Sequence, residues 1–132
     1  MYLDFAKAFD SVPHGRLLLK LQSYGVNGCL LSWIRNFVTS RQHSVCVDGI
    51  YFTLINVISG VPQGSVLGPA LFVCYINDMP ESVSSFLFMY ADDSKVGRQI
   101  LCKADCLALQ SDLDNLNCVW SKIELAIAFE LG

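Results

Sequence analysis

Phe86-Leu87-Phe88-Met89-Tyr90-Ala91-Asp92-Asp93 is the stretch that decides the fold. Its first five residues are apolar or aromatic, with neither Gly nor Pro, which is the composition of a buried strand. It ends in two adjacent carboxylates. Side chains of a strand alternate between its faces, so neighbours can act on one object only where the strand turns. Ser94-Lys95-Val96-Gly97 then reads as the return strand of a tight hairpin, with Asp92 and Asp93 at its tip. Crowded carboxylates raise each other's pKa unless a cation lies between them. A hard divalent ion with oxygen ligands, Mg²⁺ above all, resolves that repulsion. The plainer alternative is an Asp-Asp turn facing water, since Asp is a favoured turn residue.

Working outward, Met1-Tyr2-Leu3-Asp4 reads as the end of another apolar strand that closes on a carboxylate. Phe5 to Phe9 is the turn out of it, and Asp10-Ser11 offers helix-capping side chains ahead of Pro13. Leu17, Leu21 and Tyr24, with Leu18 alongside, predict a helix running to Gly25. Asn27 can cap a second helix that buries Leu30, Leu31, Ile34, Phe37 and Val38 and ends near Arg41. His43–Val47 and Tyr51–Val57 flank Asp48-Gly49, a strong hairpin signal. Ser59 to Ser65 has no apolar periodicity and reads as a loop. Gly68-Pro69 then opens a helix through Leu71, Phe72, Tyr75 and Ile76 that stops before Pro80. Leu109, Leu113, Leu116 and Trp120 trace one face of a last helix. This order predicts an α+β fold, an antiparallel sheet with helices packed on one face. If the two Asp-bearing strands are neighbours, Asp4, Asp92 and Asp93 converge as a two-metal site requires.

The 132 residues suit one domain. A hydrophobic fraction of 53% beside 16% charged residues is high for a soluble domain and points to a core piece of a larger protein. No apolar run approaches the roughly 18 residues of a membrane span, and the N-terminus has no signal-peptide pattern, so an intracellular, membrane-free chain is expected. The net charge of −3 lacks the basic face of a nucleic-acid binder. Six cysteines without a Cys-x-x-Cys pair predict free buried thiols rather than disulfides. Cys102 and Cys106 could share a helix face but lack further ligands for zinc.

Three segments in order, Tyr2-Leu3-Asp4-Phe5-Ala6-Lys7-Ala8-Phe9-Asp10, Ser59-Gly60-Val61-Pro62-Gln63-Gly64-Ser65 and Tyr90-Ala91-Asp92-Asp93, resemble the central motifs of reverse transcriptases. Their forms, with Val66-Leu67-Gly68-Pro69 extending the second, are similar to those of non-LTR, LINE-type (jockey-like) retrotransposons. The match covers residues 1 to about 117. The resemblance implies an RNA-directed DNA polymerase palm in which a primer 3′-hydroxyl attacks a deoxynucleoside triphosphate. It implies two Mg²⁺ ions, with Mn²⁺ as a substitute, held by Asp4, Asp92 and Asp93 as metal ligands and catalytic residues. Phe9 matches the aromatic steric gate beneath the incoming sugar; core packing is its plainer role. Gln63 and Gly64 match the loop lining nucleotide and template.

The implied partners are an RNA template, a DNA primer and deoxynucleoside triphosphates. The family's fingers, which precede the first motif and carry basic phosphate-binding residues, and its thumb are expected to be missing. Their loss accounts for the acidic balance. Residues 1–132 are accordingly expected to be one partial reverse-transcriptase domain, divergent over about 118–132 and inactive alone. Two alternatives are a non-enzymatic remnant of a retrotransposon, and the palm of a splicing- or telomere-associated relative.

Overall fold

Strand β1 (Tyr2–Phe5) sits inside a four-stranded antiparallel sheet of order β6-β7-β1-β8. In this computed structural model, residues 2–5, 7–122 and 127–130 are described, without the side chains of residues 4, 5, 120, 122 and 127–130. Between β1 and the acidic hairpin run helices α1 (His14–Ser23) and α2 (Gly28–Thr39), strands β2 (Gln42–His43), β3 (Cys46–Val47), β4 (Ile50–Tyr51) and β5 (Ile55–Asn56), and helix α3 (Leu67–Ile76). A 3-10 turn at Met79–Ser82 leads to β6 (Phe86–Tyr90) and β7 (Asp93–Gly97); α4 (Lys103–Lys122) and β8 (Ile127–Glu130) follow. The fold is α+β, as the pattern of elements predicts.

Each helix forms for a local reason. In α1 the buried residues His14, Leu17, Leu18 and Leu21 recur at helical spacing, and the chain leaves at Gly25 with a φ of 90°. In α3 the apolar run buries Leu71, Phe72, Tyr75 and Ile76. Lys20 joins these two helices by donating to the Tyr75 carbonyl and pairing with Asp78. Leu3 of β1 and Val96 of β7 belong to the same buried cluster as Leu17, Phe72, Ile76 and Leu116 of the helices. One sheet face therefore meets the helices.

The other face is open, which corrects the reading of residues 86–90 as a buried strand. Phe86, Phe88 and Tyr90 are exposed, while Leu87 and Met89 alternate with them on the half-buried side. A run that is apolar at every position hides which face is covered. The capping expectation at Asp10-Ser11 is corrected too. Helix α1 begins only at His14, behind a Pro13 that has no side-chain acceptor, and the Ser11 hydroxyl turns back to the Lys7 carbonyl at 2.9 Å. Asn27 does occupy the position ahead of α2, but its amide donates to the Gly25 carbonyl and caps nothing.

The Asp48-Gly49 hairpin is present, with its ladder split into β3–β4 at the turn and β2–β5 at the base. Strand β8, which pairs with β1, has no counterpart in the sequence reading, and the expected burial of Trp120 lies outside the described side chains. All six thiols are free, but five are exposed and Cys74 is half-buried, so the expectation of buried thiols fails. Among the described residues no helix is long and apolar enough to cross a membrane.

Ser94, 2% exposed on the covered face, has a hydroxyl with no hydrogen-bond partner among the described residues. Leaving a buried hydroxyl unmatched costs about 1–3 kcal/mol. Ser94→Ala is therefore expected to leave stability unchanged or raise it by about 1 kcal/mol, read from urea unfolding; a loss beyond about 1 kcal/mol would mean that the hydroxyl has a partner.

Candidate active site

The β1–β7 ladder pairs Tyr2 with Lys95, Leu3 with Ser94 and Asp4 with Asp93. Residues directly opposed in an antiparallel pair belong to one face, with Cβ atoms about 4.5–5.5 Å apart. On the far side, β7 pairs Asp93 with Tyr90 of β6, so Ala91 and Asp92 form a two-residue connection. The three carboxylate-bearing residues thus come from a directly opposed pair and the loop beside it. Asp93 is exposed and Asp92 half-exposed. Ala91 takes a φ of 54°, in the left-handed region that non-glycine residues enter at a cost of roughly 1 kcal/mol or more.

Like charges placed opposite each other in a sheet destabilise it. Among the described residues no Lys or Arg forms an ion pair with Asp92 or Asp93. Lys95, on the same face as Asp93, places its ammonium 5.0 Å from the Tyr2 ring centroid. The uncompensated donors are carboxylate oxygens, the set that suits a hard divalent cation. Among the described side chains, which do not include that of Asp4, no three His, Cys, Asp or Glu already form a ligand nest.

The second predicted segment is laced to the first. Gly60 N–H donates to Val12 at 2.7 Å, Val61 N–H donates to Phe9 at 2.7 Å, and the Ser59 hydroxyl donates to the Asp10 carbonyl at 2.8 Å. The Gly60 carbonyl in turn accepts from Arg41 Nη2 at 2.6 Å and lies 2.8 Å from His14 Nε2. Burial pulls the Arg41 pKa below its ordinary value, and the charge of Asp10 opposes that pull. Neither Arg41 nor His14 stood out in the sequence. A single cation after a helix and a His behind a Pro carry no periodic signal.

Phe9 is half-buried, its ring centroid 4.9 Å from that of Phe72, so one side of the ring packs on the core. Gln63 and Gly64 are exposed in the turn between Pro62 and α3. Ser65 closes that turn, donating to the Pro62 carbonyl at 2.6 Å and accepting from Gly68 N–H at 2.9 Å. The first predicted segment is therefore the hub, tied to the third by strand register and to the second by backbone hydrogen bonds.

The family described as Reverse transcriptase (RNA-dependent DNA polymerase) matches residues 1–128. The RNA-directed DNA polymerase from mobile element jockey of Drosophila funebris is 36% identical over 122 residues, which is 86% of this chain and 13% of that protein. The probable RNA-directed DNA polymerase from transposon X-element of Drosophila melanogaster is 36% identical over 110 residues, 80% of this chain and 12% of that protein. A Pol polyprotein from type-1 retrotransposable element R2 of Popillia japonica is 27% identical, covering 84% of this chain and 17% of its own length. The chain thus spans under a fifth of the length of each of these relatives.

Two glycines separate close approach from mere turn geometry. A Cβ at Gly60 (φ 87°) would meet the Asp10 Cα at 2.7 Å and the Phe9 carbonyl oxygen at 2.8 Å, all backbone that cannot move aside. A Cβ at Gly64 (φ 78°) would meet nothing within 4 Å. Gly60→Ala is expected to destabilise the chain by at least about 3 kcal/mol and Gly64→Ala by about 1 kcal/mol in urea unfolding. Equal losses would mean that the two loops are not held in contact.

Proposed function

Because the chain belongs to the reverse transcriptase (RNA-dependent DNA polymerase) family and resembles its non-LTR retrotransposon members, we propose that it is the palm of an RNA-directed DNA polymerase. The observation that carries this reading is the pairing of Asp4 with Asp93 beside a loop that contains Asp92. Reverse transcriptases generally use divalent metal ions. Here Asp4, Asp92 and Asp93 would hold Mg²⁺, two ions in the full site, with Mn²⁺ able to replace it. When bound, the metal would supply acidification of the attacking 3′-hydroxyl and charge neutralisation at the departing pyrophosphate.

The remaining work falls to the chain's own residues. The opposed strands would keep the carboxylates in place before substrate arrives, which removes reorganisation from the reaction. Phe9, with one side of its ring packed on Phe72, would turn the other side to the sugar and reject a ribose 2′-hydroxyl. Gln63 and Gly64, exposed on a turn closed by Ser65, would line nucleotide and template. The substrates would be an RNA template, a DNA primer and deoxynucleoside triphosphates.

Holding primer end and triphosphate in line is worth about 7–11 kcal/mol of the barrier. The rest of the longer polymerases would supply that positioning, since this chain matches 13% of the jockey protein. These 132 residues alone are accordingly expected to extend no primer on poly(rA). Placed in the corresponding segment of the jockey polymerase, they are expected to support RNA-templated DNA synthesis that Asp92→Ala abolishes. A folded chimera that fails to extend, or that extends equally with Asp92→Ala, would refute the reading. In the same chimera Phe9→Val should raise ribonucleotide use relative to deoxynucleotide by roughly 10–200-fold, the reach of one steric contact. No change would leave Phe9 a packing residue.

A further inference from the structure

Among the described residues, strand β6 is the edge of the sheet and pairs only with β7. Every residue from Phe86 to Tyr90 is apolar or aromatic, so neither face is polar and a one-residue slip would exchange Phe86, Phe88 and Tyr90 for Leu87 and Met89. Such a strand has a weakly specified register. The two-residue connection fixes the register at the tip, at the cost of the left-handed φ of Ala91. A second hold at the open end of the hairpin would keep that strained register from relaxing.

The feet of the hairpin supply the candidate. Asp112, on α4 and 5% exposed, accepts from the backbone N–H of Ser84 at 3.0 Å through Oδ1 and from that of Ser85 at 2.8 Å through Oδ2. Both serine hydroxyls also donate to Oδ2. Arg98, the first residue after β7, donates from Nη1 to the Ser84 hydroxyl at 3.0 Å and lies 3.7 Å from Asp112 Oδ2. One buried carboxylate therefore grips the foot of β6 directly and that of β7 through Arg98. Burial pushes its pKa up, but the hydrogen bonds from Ser84 and Ser85 outweigh that and hold it below the ordinary carboxylate range.

We infer that Asp112 is a positioning residue that sets the register of β6 against β7 and thereby holds the loop carrying Asp92 beside the Asp4–Asp93 pair. The inference rests on the reading of those three carboxylates as a cation site. It adds a residue far along the chain from all three motifs. Its mechanism is steric and directional, since two adjacent backbone N–H groups must each meet a different oxygen, and a shifted strand would meet neither.

Asp112→Asn tests this, because an amide of the same shape must turn its NH₂ towards one of the two backbone donors whichever way it is flipped. Amide hydrogen exchange is measured on the 132-residue chain beside Leu109→Ala, a packing change on the same helix. Exchange over residues 86–97 should quicken at least roughly tenfold in Asp112→Asn, as the loss of a hydrogen bond to a charged acceptor implies, with α1 little changed. Mn²⁺ affinity, read by electron paramagnetic resonance, should fall about 10–100-fold, as it does when a ligand's supporting partner is lost. Leu109→Ala should affect protection broadly and leave Mn²⁺ affinity as it was. Ser85→Ala, which removes one donor and leaves the carboxylate, should move both readouts in the same direction by less, and decides the matter if Asp112→Asn does not fold. Unchanged hairpin protection, uniformly lowered protection, or a loosened hairpin with intact Mn²⁺ affinity would each overturn the inference. Failure of the unmodified chain to bind Mn²⁺ would overturn the cation reading itself and this positioning role with it.

Discussion

The β1–β7 register is the constraint on which the rest of the site depends. Asp4 stands opposite Asp93 at the end of the ladder, and Asp92 follows from the loop. A slip by one residue would send the whole of β1 to the opposite face. Leu3 opposes that slip because it is buried in the common core, whereas Tyr2 on the other face is exposed. The apolar packing of one side chain thus decides where a charged neighbour stands.

The acidic tip concentrates unfavourable features. Ala91 is in the left-handed region, Ser94 buries a hydroxyl unmatched among the described residues, and two acidic residues oppose one another in the ladder. Each costs on the order of 1 kcal/mol, and a cation would relieve the last. The offset comes from elements that need no tuning for chemistry. The core joins Leu3 and Val96 to Leu17, Phe72, Ile76 and Leu116. Backbone hydrogen bonds fasten the 59–61 segment to residues 9–12. Strain of this kind is retained where the surroundings over-determine it, which is a property of functional sites.

Much of this was legible in residue order. The Asp48-Gly49 hairpin, the helix ending at Gly25 and the return strand after Asp93 all carry local turn chemistry, and local signals survive without tertiary context. The motif-bearing segments were legible as well, and so was the family. What stayed hidden depended on distant partners. The open face of β6 could not be read because Phe86 to Tyr90 is apolar throughout. Strand β8 exists through pairing with β1, more than a hundred residues away. Asp112 looks like any polar residue on a helix until Ser84 and Ser85 are brought to it. Asp10 and Ser11 had the right chemistry for a cap, but the helix begins at His14, beyond their reach.

The central claim is that strand register gathers Asp4, Asp92 and Asp93 around a divalent cation. Paramagnetic broadening by sub-stoichiometric Mn²⁺, followed residue by residue in the amide spectrum of the isotope-labelled chain, tests it most directly. The account predicts that signals of residues 3–5 and 91–94 broaden together, and that Asp93→Asn spares both groups. Broadening confined to one of the two segments, or centred instead on other acidic positions such as Asp78, Glu81 or Asp114, would contradict it.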